Sequence, residues 1–304
     1  MKNIPKSTAK LQEVIDFYLV SQDFARLAAS TQGDYERRLA HVSSTVVEGK
    51  RLGDYRCRNM RVRYLTQAYQ VWLDAGVREA NYRKACLSVA WQHGMRYDVM
   101  ENDPVRLVRT LATTPRKVYW KRDQIRTFLD TAYSDFRWRS IGLIVHMAYD
   151  WAQRVGDMRL LTWDTLNLDQ CTMDLTQSKR NAEIHLPISD GLCNMLRQQK
   201  EQFGFQDYVA PKPEPRAGAY TPYTKDEIGI IMNTILDEAG LPRELNAMDL
   251  RRTAVVEMME AGVTEGNIIQ VTGHKSFSSM LPYRVNTLSG ASKALAARGN
   301  NEDE

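Results

Sequence analysis

Residues 139–187 read RSIGLIVHMAYDWAQRVGDMRLLTWDTLNLDQCTMDLTQSKRNAEIHLP, and the apolar period changes partway along. From about Arg139 to Leu161, the residues Ile141, Ile144, Val145, Ala148, Trp151, Val155 and Met158 recur at the spacing that lines one face of a helix. Beyond Trp163 the pattern breaks into short runs, Thr165–Leu168, Cys171–Thr176 and Glu183–Pro187, separated by Asp169-Gln170 and by Gln177–Ala182. Short runs between polar turn residues predict a small antiparallel sheet. A long helix feeding such a sheet places this part of the chain in the α+β class.

The flanking sequence is helical in pattern. A helix is predicted from about Arg122 to Tyr133. Pro211, Pro213, Pro215, Gly218 and Pro222 mark a loop, after which Thr224-Lys225-Asp226-Glu227 reads as a capping box opening a helix that Gly240 closes. Further helices are predicted at about Asp249–Glu260, Glu265–Val271 and Leu288–Arg298. Met258, Met259 and Met280 in or near them read as core filler. In the first third, helical spacing recurs in Leu11–Val20, Tyr64–Leu73 and Ala85–Trp91, and strand-type alternation is scarce.

Asn102-Asp103-Pro104 ends the first helical region, because the residue before proline is driven out of helical dihedrals. The polar, basic stretch Thr113-Thr114-Pro115-Arg116-Lys117 follows. The reading is therefore a helical domain over 1–112, a basic linker over 113–121 and a second domain over 122–304, within a chain of 304 residues. The fold class is mainly α with a small antiparallel β-sheet.

Net charge is +4, but residues 1–120 sum to about +8 and the remainder to about −4. The basic part is the better nucleic-acid candidate, since positive charge gains from counterion release on phosphate. Within it Arg51, Arg56, Arg58, Arg61 and Arg63 interleave with Tyr55 and Tyr64, either as a solvated helix face or as phosphate contacts. No apolar run approaches membrane-spanning length and no signal-type segment opens the chain, so a cytoplasmic protein with no membrane partner is expected. The four cysteines, Cys57, Cys86, Cys171 and Cys193, are far apart and read as reduced thiols, without a structural metal. His41, His93, His146 and His185 read as structural or solvent-facing.

Three segments carry chemistry: Ala152-Gln153-Arg154-Val155-Gly156-Asp157-Met158-Arg159-Leu160-Leu161-Thr162-Trp163, then Asp249-Leu250-Arg251-Arg252-Thr253, then Thr272-Gly273-His274-Lys275 leading to Tyr283. In order and spacing they resemble the boxes of the tyrosine recombinase, or phage integrase, family. The first resembles its G-x-R-x-x-E-x-x-x-L-x-W stretch, with Ala152 in the glycine place and Asp157 in the acidic one. The second resembles H-D-L-R-H-T. The third resembles the L-G-H box, followed nine positions later by the tyrosine. Lys179, which lies 25 residues after Arg154 in the predicted hairpin turn, matches the place of the family's lysine.

The resemblance implies an N-terminal core-binding (SAM-like) domain and a catalytic domain that together clamp duplex DNA. It implies a homotetramer on two recombination sites, accessory DNA-bending proteins among the partners, and neither metal nor other cofactor. Leu288–Arg298 is then the candidate exchange helix, Asn300–Glu304 an acidic tail, and the chain the shorter kind without an arm-binding domain. Tyr283 would attack phosphorus to give a 3′-phosphotyrosyl link. Arg154 and Arg251 would stabilise charge building on the non-bridging oxygens, with His274 as a further donor. Lys179 would protonate the leaving 5′-hydroxyl, and Asp157, one helical turn beyond Arg154, would orient it. Arg56, Arg58, Arg61, Arg63, Arg116 and Lys117 are the candidate backbone contacts.

One position departs from the family. Met248 stands where the H-x-x-R box has histidine, and a thioether can neither take the tyrosine proton nor donate to phosphate. The expectation is a slowed but active enzyme. The alternatives are a recombinase-like DNA-binding protein impaired in cleavage, and a type IB topoisomerase-like nicking-closing enzyme.

Overall fold

The apolar stripe of Leu11, Val14, Ile15 and Tyr18 folds as helix α1 (Leu11–Leu19), all four side chains buried. In this computed structural model, which describes residues 8–274 except 115, 117 and 180, together with 291, 292, 295 and 296, the chain divides into two units, Met1–Pro115 and Arg116–Glu304. The expected helix over Leu288–Arg298, the tail over Asn300–Glu304 and Met280 lie wholly or largely outside the described residues.

In the first unit, α1 is followed by α2 (Gln22–Ala25), α3 (Ala29–Ser44), a hairpin of β1 (Val46–Val47) and β2 (Lys50–Arg51), α4 (Val62–Trp72) and α5 (Val77–Arg96). The core joins Leu11 and Ile15 to Leu39 and Val42 of α3, Leu65, Tyr69 and Trp72 of α4 and Leu87 and Trp91 of α5. Buried polar atoms on the large rings are satisfied locally. Trp72 Nε1 donates to Thr45 Oγ1 at 2.8 Å and Trp91 Nε1 to the Asn102 carbonyl at 2.9 Å. The hairpin turns on Glu48 (φ 49°) and Gly49 (φ 74°), two consecutive left-handed residues that match strand twist.

The arginine-rich stretch corrects one expectation. Arg51–Arg63 is not one helix face: after Arg51 at the end of β2 it forms two single 3₁₀ turns, Leu52–Asp54 and Cys57–Asn59, and only Arg63 falls in the first turn of α4. Burial of Leu52, Cys57 and Met60 anchors these turns, and the intervening polar residues project outward without helical periodicity.

The second unit runs α6 (Arg122–Ser134), α7 (Phe136–Asp150), α8 (Val155–Met158), β3 (Leu166–Asn167), β4 (Thr172–Thr176), β5 (Glu183–Pro187), α9 (Asp190–Phe203), α10 (Lys225–Glu238), α11 (Ala247–Glu260) and α12 (Glu265–Thr272). The antiparallel sheet has the order β3-β4-β5, with Met173 facing Leu186 and Leu175 facing Ile184. Buried Met173, Ile184 and Leu186 face the core. Helix α10 opens on the expected capping box, Thr224 Oγ1 accepting from Glu227 N while the Glu227 carboxylate accepts from Thr224 N at 2.7 Å.

Helix α7 packs against α6, α9, α10 and α11 and buries Ile141, Leu143, Ile144, Val145, Met147 and Ala148, more than one face. The helix predicted as continuous to Leu161 ends at Asp150. Ala152 adopts φ 50°, and Gln153 Nε2 donates to the Trp151 carbonyl at 2.7 Å, so a left-handed residue and a side-chain amide replace the next helical turn. Arg154 therefore stands at the N-cap of the short α8 rather than mid-helix.

The cysteines give a second correction. Cys171 and Cys193 are paired as a disulfide with Cα atoms 6.2 Å apart. They are 22 residues apart in sequence, and only the return of α9 past the start of β4 brings them together. Cys57 and Cys86 remain free and buried, and burial pushes their thiols up to about 12 and about 11. No described helix is long and apolar enough to cross a membrane.

Packing leads to two expected outcomes. His93 is buried among Phe17, Tyr18 and Tyr97, and that desolvation holds its imidazole below the ordinary range even though Asp23 Oδ2 lies 3.3 Å from Nδ1. The unfolded chain then binds the proton first, so stability of the first unit is retained above about pH 6.5 and lost as pH falls below it. Urea midpoints between pH 7 and 5 should fall, and fall less in His93→Gln; an equal fall in both proteins contradicts this. Gly273 closes α12 at φ 66°, and a Cβ there would stand 2.9 Å from Ile184 Cδ1 and 3.0 Å from the Gln177 amide. Gly273→Ala should cost about 1–3 kcal/mol in denaturant unfolding, and an unchanged midpoint would show that the turn tolerates a side chain.

Candidate active site

The end of α12 organises the site. Its final carbonyls have no helical partner, and side chains from three other segments cap them. Gln153 Nε2 donates to the Val271 carbonyl at 2.7 Å. The Thr272 carbonyl accepts from Gln177 Nε2 at 2.9 Å and from an Arg251 terminal nitrogen at 2.8 Å. Gly273 turns the chain left-handed, so that His274 folds back over Thr272.

His274 is buried, and its tautomer follows from the hydrogen bonds. The Thr272 hydroxyl donates its one proton to the Ile268 carbonyl at 2.7 Å, so toward His274 Nδ1, 2.6 Å away, it can only accept. Nδ1 carries the proton. In the neutral ring Nε2 is then an acceptor, and it faces an Arg251 terminal nitrogen at 3.2 Å. Only the imidazolium presents an N–H at Nε2.

Arg154 arrives from the other side. One of its terminal nitrogens donates to Gln177 Oε1 at 2.9 Å and lies 3.6 Å from Asp157 Oδ2. Gln177, fully buried immediately after β4, also donates from Nε2 to Gln153 Oε1 at 2.6 Å. Asp157 is buried and gives its other oxygen to the hairpin turn, accepting from Ser178 Oγ at 2.5 Å and Ser178 N at 3.3 Å. The turn closes through Gln177 N to the Ala182 carbonyl at 2.9 Å, and Lys179 within it is exposed.

Helix α11, which carries Arg251, is held at both ends. The Asp249 carboxylate accepts from Arg116 Nε on both oxygens, at 3.1 and 3.0 Å, and Arg116 also reaches the Glu244 carbonyl. Arg252 donates to the Arg116 carbonyl. Farther along, Glu257 accepts from Tyr149 Oη at 2.6 Å and from Arg122 Nε at 3.0 Å. With its N-terminus and its C-terminal turns fixed, α11 leaves Arg251 little freedom, and the residue is buried.

The described residues thus bring together Arg154, Asp157, Arg251 and His274, with Lys179 on the adjoining turn. Tyr283 and Lys117 lie outside them. Met248, on the first turn of α11, is 75% exposed, so it makes no core contact that would demand a thioether. Arg56, Arg58, Arg61 and Arg63 are exposed in the first unit, Arg63 lying over the Tyr64 ring at 4.8 Å. Arg116, expected to lie along a DNA backbone, spends its guanidinium on Asp249 and Glu244 instead. Gln153, Gln177, Ser178 and Thr272 join the site without any motif that singles them out. Buried glutamines are uncommon, and nothing in the sequence marks these two as buried. Among the described residues no group of His, Cys, Asp and Glu could hold a metal ion.

Residues 119–288 match the model of the phage integrase family. Among solved structures, the chain resembles a lambda integrase dimer bound to a COC′ core site, with TM-score 0.74 and 17% identity over 92% of this chain and 78% of that one. A lambda integrase tetramer bound to a Holliday junction gives TM-score 0.74 and 17% identity, over 92% of this chain and 79% of that one. The Tn1549 transposon integrase in complex with circular intermediate DNA gives TM-score 0.74 and 14% identity, over 95% and 99%. At such identities the likeness speaks for the fold. No curated protein matches the chain. The family match spans more than half the sequence, and the chain belongs to the phage integrase family, the tyrosine recombinases.

Proposed function

We propose that this chain is a site-specific DNA recombinase that cleaves and rejoins duplex DNA through a 3′-phosphotyrosyl intermediate, using neither metal nor ATP. The observation that carries the proposal is the convergence of Arg154, Arg251 and His274 from three separate segments around the Thr272 carbonyl. Two permanently charged guanidiniums and an imidazole held between Thr272 and Arg251 form a site for a phosphodiester whose oxygens gain charge in the transition state.

In this reading the Tyr283 oxygen forms a bond to phosphorus as the bond to the 5′-oxygen breaks. Arg154 and Arg251 hold the non-bridging oxygens, and Lys179 delivers a proton to the departing 5′-oxygen. The exposed hairpin turn suits a lysine that must reach the leaving group only when DNA is bound. Asp157 orients Arg154 while Ser178 keeps its other oxygen occupied. His274, with Nδ1–H committed to Thr272, donates to a phosphoryl oxygen from Nε2 when protonated. Rejoining reverses the step with a new 5′-hydroxyl.

The partner is double-stranded DNA carrying a recombination site, with four protomers in the synaptic complex. That solved relatives are integrases bound to DNA, one of them as a tetramer on a Holliday junction, supports this partner. The exposed Arg56, Arg58, Arg61 and Arg63 remain the backbone contacts proposed for the first unit, with Lys117 from the linker. DNA affinity should fall steeply with salt, by roughly 0.9 in log–log slope for each phosphate contact.

Met248 favours a second reading, a DNA-binding protein slow to cleave, because the position that would hold a histidine offers no proton-transfer group. Its exposure leaves room for an imidazole, and Met248→His should speed cleavage roughly tenfold or more. An unchanged or lower rate argues that the position does not touch the chemistry. The enzyme reading is tested by incubating the protein with nicked cognate DNA in chelator and resolving a denaturant-stable adduct. Wild-type protein should form it and Tyr283→Phe should not. Tight DNA binding with no adduct would leave only the second reading.

A further inference from the structure

Every polar atom of the Gln177 side chain is engaged although the residue is fully buried: Oε1 accepts from Arg154 at 2.9 Å, and Nε2 donates to Gln153 Oε1 at 2.6 Å and to the Thr272 carbonyl at 2.9 Å. The same carbonyl receives Arg251. One amide and one carbonyl thus separate the guanidiniums that come from the start of α8 and from α11. Gln177 is the first residue after β4, directly before Ser178, which grips Asp157, and Lys179.

A carboxylate in this place would orient Arg154 too, but it would cancel the charge that the phosphate needs. An amide orients by hydrogen bonding and leaves the charge intact. The nearby carboxylate of Asp157 stands 3.6 Å from the guanidinium and is turned toward the hairpin by Ser178. Arg154 is therefore aimed by a neutral group and paired only loosely with a charged one.

We propose that Gln177 is a positioning residue that fixes the direction of the Arg154 guanidinium toward the reacting phosphate and registers it against Arg251. This rests on the recombinase reading above. Gln177→Met keeps the length of the side chain and removes both hydrogen-bonding ends. On nicked cognate DNA it should bind within about twofold of wild type but cleave about 100-fold more slowly, the scale expected when one preorganised electrostatic interaction is removed. On the same duplex with a methylphosphonate at the scissile position, which lacks the oxygen charge that the guanidinium offsets, the deficit should shrink to less than about threefold relative to wild type, because aiming the guanidinium matters only for that charge.

Gln177→Glu adds a pH signature and covers the case in which the methionine variant fails to fold. The ionised carboxylate neutralises Arg154 and opposes the Thr272 carbonyl and Gln153 Oε1. The protonated acid regains one donor and one acceptor. Its cleavage rate relative to wild type should therefore rise as pH is lowered. Equal deficits of the methionine variant on both substrates, wild-type rates on both, or a glutamate variant whose pH profile parallels wild type would each overturn the proposal. Failure of the wild-type protein to form any adduct is a different result: it removes the recombinase reading, and this inference with it.

Discussion

The Thr272 carbonyl is the constraint on which the site depends. As the last residue of α12 it has no helical hydrogen-bond donor, and it carries the partial negative charge of a helix C-terminus. Arg251 and Gln177 both satisfy it, and through Gln177 it reaches Arg154. A single orphaned backbone group thereby sets the relative positions of residues almost a hundred apart in the chain. Gly273 is required for the same reason: only a left-handed residue without a Cβ lets the chain turn there while the Gln177 amide sits against it.

Holding two guanidiniums near one another is electrostatically costly. The fold offsets that cost with neutral acceptors, the Thr272 carbonyl and the Gln177 amide, and with Asp157 at 3.6 Å. The rest of the second unit serves to keep this arrangement in place. The Asp249–Arg116 pair and the Glu257 contacts with Tyr149 and Arg122 fix α11. Central α7 ends in the Ala152 turn that delivers Arg154 to the N-cap of α8 rather than along a helix face. In the proposed reaction, such a site is complementary to the transition state before substrate arrives, and DNA supplies the negative charge that completes it.

Much of the architecture is legible in the sequence because periodicity reports burial. The stripes at Leu11–Val20 and about Arg122–Tyr133, the strand runs and the Thr224–Glu227 capping box all correspond to observed elements. The motif residues Arg154, Arg251 and His274 can be named from their order and spacing. What cannot be read depends on tertiary context. The helix break at Ala152 has no glycine or proline to mark it. The helix Ala29–Ser44 buries only Leu39 and Val42 among its apolar side chains and leaves a faint stripe, whereas Asp190–Phe203 carries Leu192, Cys193, Leu196 and Phe203 at helical spacing, and neither the Cys171–Cys193 pairing nor the role of Arg116 has a local signal. Gln153 and Gln177 look like surface residues in a sequence, and only the closure of the β4–β5 hairpin against α12 reveals their burial. A capped carbonyl leaves no compositional trace.

If this cluster acts on a phosphodiester through Tyr283, the nucleotide must end up attached to that one side chain. The most direct measurement is to trap the covalent adduct on end-labelled nicked DNA, digest the protein, and identify by mass spectrometry the residue that carries the nucleotide. The expected result is a 3′-phosphoryl group on Tyr283. Attachment at another residue, or through a 5′-phosphate, would contradict the proposed chemistry.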